Sequence, residues 1–229
     1  TRIDQLRASL ERMRWVFRDL PERYLIVDIA GFHAYLMESD REIWETRVQV
    51  GKPYHATPVF KDQIRYLEFN PTWTVPRSIF LKDKLPRIRK DVAYLQRGGY
   101  SVVDSDGRSL DPGAVNWMSD NPDVTLVQRP GPDNALGLIK FMFPNELSVY
   151  IHDTPAKSLF KRSSRPFSSG CVRVEAPLEL VALLLRHQDW DRARLSEAVA
   201  SNQRQVVILD EPMPVHLVYL TAWVAAGGE

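Results

Sequence analysis

Three runs rich in β-branched and aromatic residues, Tyr24–Ile29, Phe32–Met37 and Ile43–Val50, follow one another, with Ala30-Gly31 as the turn between the first two. Such side chains suit a pleated, half-buried surface. A strand-turn-strand opening feeds an antiparallel sheet and not a parallel α/β one. Gly51-Lys52-Pro53 breaks the pattern, and Thr57-Pro58-Val59-Phe60 leads to another strand at Ile64–Phe69. Further strands are predicted at Tyr100–Val103, Val124–Gln128 (resuming the sheet), Leu138–Phe143, Val149–Ile151, Val206–Leu209 and Val215–Trp223. The pattern predicts a mainly β fold with flanking helices.

The helical signals are local. Ile3, Leu6, Leu10, Met13 and Phe17 recur at three- and four-residue steps, the stripe of an amphipathic helix that Pro21 ends. Residues 1–20 read equally as a linker from an upstream region. Pro177 opens a second helix with Leu178, Val181, Ala182 and Leu185 on its buried face, and a third runs from Asp191 to Ser201 with Leu195 and Val199. Asn70–Pro76 is too rich in proline for a central strand. Leu85-Pro86-Arg87-Ile88, Val92 and Leu95 then form a helical stripe that stops at Gly98-Gly99, and Asp104–Gly113 is turn-rich. Residues 79–121 are either an insertion packed on the sheet or a two-element piece of its core.

The chain has 229 residues, of which 44% are hydrophobic, enough for a full core in one large domain. No run of eighteen apolar residues marks a membrane span. Thirty basic residues against 29 acidic give a net charge of +1, so bulk electrostatics make no case for nucleic acid. One cysteine forms no internal disulfide and leaves the compartment open. Both ends read as cut from a longer protein: there is no initiating Met or apolar leader, and Gly227-Gly228-Glu229 follows directly on a strand-like run.

That cysteine, Cys171, follows Ser168-Ser169-Gly170, and His152 lies upstream in Ile151-His152-Asp153-Thr154-Pro155. A thiol attacks as its thiolate, and a neighbouring imidazole is the usual means of making one near neutrality. Small residues before the cysteine let a ligand approach the backbone, where the N–H groups of Ser169, Gly170 and Cys171 would face a developing oxyanion. The competing reading makes Cys171 a small buried hydrophobe and His152 a satisfied loop histidine. Other chemistries fail. The chain carries no G-x-S-x-G, P-loop or C-x-x-C, its histidines (33, 55, 152, 187, 216) lack close metal-ligand spacing, and Pro177 stands where a phosphatase-type Cys-x5-Arg needs arginine. No metal or cofactor is implied.

Fifteen residues separate His152 from Ser168-Ser169-Gly170-Cys171-Val172-Arg173. This resembles the two-part signature of the L,D-transpeptidase (YkuD-type) catalytic domain: a histidine, a spacer, then Ser/Thr-His-Gly-Cys, an apolar residue, and Asn or Arg. Ser169 stands where most members carry a second histidine, as it does in the larger periplasmic Gram-negative branch. The resemblance implies a YkuD-like β-sandwich or barrel over 21–229, with 79–121 as an inserted helical capping subdomain. It implies a peptidoglycan enzyme that joins tetrapeptide stems, as donor and acceptor, by 3→3 links through a Cys171 thioester, in the periplasm at the cell wall. Carbapenem-type β-lactams would acylate the same cysteine.

The roles then follow from residue types. His152 is the general base and acid; a backbone carbonyl orients it, since Asp153, its neighbour in a strand, points to the opposite face. Arg173 and Tyr150, each two residues from a catalytic partner, are candidates for gripping a substrate carboxylate and lining the donor pocket. Arg173 as a loop brace is the equal alternative. Ser168 either helps hold the substrate site or is a turn residue, and Trp73 is either a stacking surface or core. Phe141 and Phe143 read as core. Lys157, Lys161, Arg162 and Arg165 make a basic loop that either favours a thiolate or is merely solvated. Two competing functions remain: a cysteine L,D-carboxypeptidase or peptidase using water in place of the acceptor amine, and a non-catalytic wall-binding module.

Overall fold

The computed structural model describes residues 1–222, apart from the side chains of Trp15 and Val16. Trp223, assigned from sequence to the closing strand, lies outside the described residues. Helix α1 (Arg2–Val16) begins with a reciprocal cap between Thr1 and Asp4. A meander follows: β1 (Arg23–Asp28), β2 (His33–Glu38) and β3 (Arg41–Gly51) pair antiparallel, with buried Leu25, Leu36 and Trp44 in register. β4 (Phe60–Phe69) lies further along the same sheet.

The chain then leaves that sheet. β5 (Trp73–Thr74), α2 (Arg77–Ile79), a π-helical turn at Phe80–Lys84, α3 (Leu85–Lys90), α4 (Ala93–Arg97), β6 (Tyr100–Val103), β7 (Ser109–Leu110) and β8 (Thr125–Gln128) come next. It returns as β9 (Ile139–Met142), β10 (Ile151–His152), β11 (Pro166–Ser168) and β12 (Val172–Val174), then α5 (Pro177–Leu184), α6 (Arg192–Ala200) and the long β13 (Gln205–Val218).

The main sheet has nine strands in the order β11-β3-β12-β10-β9-β4-β13-β1-β2, and β3 also pairs with β2, so the sheet closes on itself. The fold is mainly β with some helices, as the sequence predicts. The purely antiparallel expectation fails, because β1–β13, β10–β12 and β11–β3 run parallel. Parallel neighbours need a long crossover. Residues 153–171 supply one, without the long helix whose periodicity would have announced it. The two predicted closing strands are one, β13, whose register shifts between Ile208 and Met213 so that Pro212 is carried in a bulge.

Inside the sheet, Leu67, Phe141, Ile151 and Val172 lie in register on β4, β9, β10 and β12, each fully buried. The apolar faces of α5 and α6 join this core through Leu180, Val181, Leu184, Leu185, Leu195 and Ala198. Of the predicted α5 face, Val181 and Leu185 are buried as expected, but Leu178 and Ala182 are exposed and Leu180 and Leu184 take their place. A rotation of one residue step about the helix separates the two readings, and only the packing partner fixes it. In α1 the expected stripe packs inward only at Met13 and Phe17, both partly buried, while Ile3, Leu6 and Leu10 are exposed. The helix docks by its last turn and by the buried Ser9 hydroxyl, which accepts the Thr221 and Ala222 N–H groups.

Residues between β4 and β9 build a second sheet, β5-β8-β6-β7, with its own apolar cluster. The segment Val124–Gln128 belongs here and not to the main sheet, contrary to the sequence expectation. The cluster draws on Trp73, Phe80, Ile88, Leu95, Trp117, Leu126 and Leu136, so it reaches past 79–121 at both ends. The single helical stripe ending at Gly98-Gly99 is broken at Asp91, whose backbone is extended, and Val92 is exposed. Tyr150 packs against both clusters and marks their junction.

Candidate active site

Strand periodicity assembles the site. β10 and β12 are parallel neighbours with Ile151 opposite Val172 and His152 opposite Arg173. Side chains alternate across a sheet, so Ile151 and Val172 enter the core while Tyr150, His152, Cys171 and Arg173 share the other face. Cys171 and His152 therefore stand in diagonal positions on adjacent strands. The same register carries the row outward, with Gln49 of β3 opposite Arg173, Lys140 of β9 opposite His152, and Glu68 of β4 opposite Lys140.

Cys171 is a free, partly exposed thiol. It sits beyond a turn that Ser168 and Gly170 build. Gly170 has φ +117, a conformation that favours glycine, and its N–H donates to Ser168 Oγ at 3.1 Å. The Ser168 hydroxyl donates in turn to the Cys171 carbonyl at 2.5 Å. Buried Thr57 clamps the turn to the end of β3 by donating to the Gly170 carbonyl at 2.8 Å and accepting the Gly51 N–H at 2.9 Å. Two sequence expectations need correction here. Ser168 is buried and its hydroxyl is used within the turn, so it braces the cysteine and does not face a substrate. The Gly170 N–H is already engaged, which leaves those of Ser169 and Cys171 as the turn's free donors among the described residues.

His152 is buried, and its Nδ1 lies 2.5 Å from the Asp153 carbonyl. A carbonyl only accepts, so Nδ1 carries the proton and Nε2 is the basic nitrogen. Burial pushes the imidazole pKa down to about 3, helped by the positive charges of Arg173 and Lys140 and opposed by the Asp153 and Leu136 carbonyls. Asp153 itself takes no part in a triad. Its carboxylate accepts the Leu138 N–H and pairs with Lys157.

Gly137 holds this arrangement in place. Its φ is +63, and a Cβ there would stand 2.4 Å from the Asp153 carboxyl. Gly137→Ala should therefore destabilise the domain by about 2–3 kcal/mol, from left-handed strain and the push on Asp153. Urea denaturation would check it, and a midpoint equal to wild type would refute it.

Burial pushes the Cys171 thiol pKa up; hydrogen bonds from Tyr150 and the charges of Lys140 and Arg173 pull it back. Burial thus holds both the imidazole and the thiol toward their neutral forms. Arg173 is half-buried: one guanidinium nitrogen reaches Gln49 at 3.4 Å and its Nε has no partner. Trp73 lies enclosed in the second cluster beneath Lys84, so it is core and offers no stacking face. The basic loop does not face the thiol as a unit. Lys157 is paired with Asp153, and buried Arg165 binds the carbonyls of Phe32, Val48 and Arg162.

A model of the YkuD L,D-transpeptidase catalytic domain matches residues 22–208. The chain belongs to this family.

The YkuD domain is 34% identical over 204 residues to a Haemophilus influenzae protein named "Putative L,D-transpeptidase". The match covers 89% of this chain but only 42% of that relative's length. Among solved structures, the catalytic domain of an Enterococcus faecium L,D-transpeptidase acylated by ertapenem is 14% identical, with 88% of this chain and 100% of that one covered, at a TM-score of 0.38. L,D-transpeptidase 3 from Mycobacterium tuberculosis is 11% identical, with 86% and 61% covered, at a TM-score of 0.40. At that degree of superposition neither likeness identifies a residue.

Two site features of the YkuD domain escaped the sequence reading. Lys140 had a signal: a lone charge inside the apolar strand Leu138–Phe143. Thr57 had none, since the turn that it clamps lies more than a hundred residues away. Among the described residues no group of three or more His, Cys, Asp or Glu is placed to hold a metal, and no helix is long and apolar enough to cross a membrane. A cleft of about 620 Å³ lined by Arg23, Glu38, Arg186 and Glu211 includes none of the site residues.

Proposed function

We propose that this YkuD domain is a peptidoglycan L,D-transpeptidase that forms 3→3 cross-links through a thioester on Cys171, in the periplasm at the cell wall. The juxtaposition of a reachable thiol and an oriented, neutral imidazole on one sheet face, within a chain of this family, carries the reading.

His152 Nε2 takes the thiol proton as Cys171 Sγ attacks the carbonyl of the third stem residue. The N–H groups of Ser169 and Cys171 receive the oxyanion. The carbon–nitrogen bond to the terminal D-alanine breaks, its amine leaves with the proton from His152, and the thioester remains. The side-chain amine of an acceptor stem then attacks the thioester, His152 removes its proton, and the thiolate departs to be reprotonated. Arg173, with an unpartnered Nε and no carboxylate beside it among the described residues, grips a substrate carboxylate, and Tyr150 lines the donor pocket. The second sheet and its helices cap the groove. The contact of Tyr150 with both clusters supports that role, and a cap would keep water from the thioester.

Mass spectrometry of a tetrapeptide donor incubated with and without an acceptor amine tests the proposal. Loss of D-alanine with formation of the joined product is expected, together with a covalent carbapenem adduct on Cys171. A tripeptide product whether or not acceptor is present would replace transfer by hydrolysis. Absence of both product and adduct would leave a wall-binding module.

A further inference from the structure

Lys140 sits in the middle of the polar row, opposite His152 on one side and Glu68 on the other. An ordinary sheet would pair the ammonium with the carboxylate across the strands. Here Glu68, nearly buried, is held at 2.9 Å by Arg204, which enters from the residue before β13. Lys140 is left half-buried with no hydrogen bond or ion pair among the described residues. Its Nζ lies instead 4.1 Å from the centroid of the Tyr150 ring. The Tyr150 phenol bears on the Cys171 thiol, drawing its pKa down against burial, while the sulfur itself reaches the Ser148 carbonyl at 4.0 Å.

We propose that Lys140 is a positioning residue for the thiol: its ammonium on the Tyr150 ring makes the phenol a stronger hydrogen-bond donor toward the Cys171 thiolate, and Arg204 keeps it there by holding Glu68. A cation on a ring face is attracted by the negative π surface and draws electron density from the phenol oxygen, which makes the hydroxyl a better donor. A donor bonded to sulfur favours the thiolate, and so does a positive charge in a half-buried setting. The other groups facing Cys171 are Arg173 on its own strand and Tyr150 and His152 on β10; Gln49 of β3 is uncharged. Arg173 is fixed by its place beside the cysteine. Lys140 has the ring within reach and Glu68 opposite it in register, and Arg204 occupies Glu68. The inference rests on Cys171 being the nucleophile, but its test reads sulfur reactivity directly and not wall chemistry.

The rate of Cys171 alkylation by iodoacetamide, followed against pH in the full chain, is the measurement. Lys140→Met should move the midpoint to higher pH and slow alkylation at pH 8 by about three- to tenfold, and Lys140→Arg should restore most of the rate. Arg204→Met keeps Lys140 but frees Glu68 to capture it, so the same shift is expected, smaller in size. A Lys140→Met profile that overlays wild type at an unchanged melting temperature would overturn the proposal. Should that variant fail to fold, an Arg204→Met profile identical to wild type would overturn it instead. A shifted profile with no acyl transfer by wild type would keep this charge arrangement and end the transferase reading. Transfer intact in wild type with an unshifted Lys140→Met profile would do the reverse.

Discussion

Cys171→Ala should abolish acyl transfer and carbapenem adduct formation, a loss of at least about 10³-fold, while the domain stays folded. The size follows from the chemistry: no other thiol exists in the chain, and water activated by His152 would make no thioester. Stability should move by less than about 1 kcal/mol. The side chain is partly exposed, and the turn is held by Ser168, Gly170 and Thr57 through groups that the substitution leaves alone. Intact-protein mass spectrometry with a carbapenem and a thermal melt would report both quantities. Cross-linking retained in the alanine variant would remove the thioester route altogether.

His152→Gln should slow acylation by roughly 10² to 10⁴-fold, the usual range for a general acid–base group. It should also change the acid limb of stability. The folded pKa, about 3, lies below the ordinary value of 6.5, so below pH 6.5 the unfolded chain binds a proton that the fold refuses. This contribution is present in full above pH 6.5 and is lost progressively as the pH falls toward 3. At pH 4.5 wild type should therefore have given up roughly 2–3 kcal/mol that the glutamine variant, with nothing to titrate there, retains. His216, also buried and also pushed down, contributes in both proteins and cancels in the comparison. Urea denaturation of the pair at pH 7.5 and 4.5 measures the difference. Parallel losses in the two proteins would show that His152 is not held neutral by its surroundings.

These two expectations use residues that were visible before any coordinates. The proposed nucleophile and base stood out because the chain has one cysteine and because that cysteine, the glycine before it and the upstream histidine carry a spaced signature. The strands stood out because β-branched and aromatic residues report on a pleated surface wherever they cluster. Even the preference for a backbone carbonyl over Asp153 as the orienter of His152 followed from strand alternation alone.

The sequence by itself determined the mainly β class, most of the longer strands and the candidate reacting pair, because each is written in short-range spacing and residue chemistry. Tertiary structure decided what lies across from what. Parallel pairing of β10 with β12 put Cys171 and His152 on one face, and register brought Lys140 and Glu68 into the same row. Folding of the segment between β4 and β9 about its own cluster took Val124–Gln128 away from the main sheet and enclosed Trp73. Packing elsewhere consumed Ser168 in a turn, left the first half of the α1 stripe in solvent, and set which face of α5 was buried. Register and packing partner join residues far apart along the chain, and no local pattern encodes which distant strand a given edge will meet.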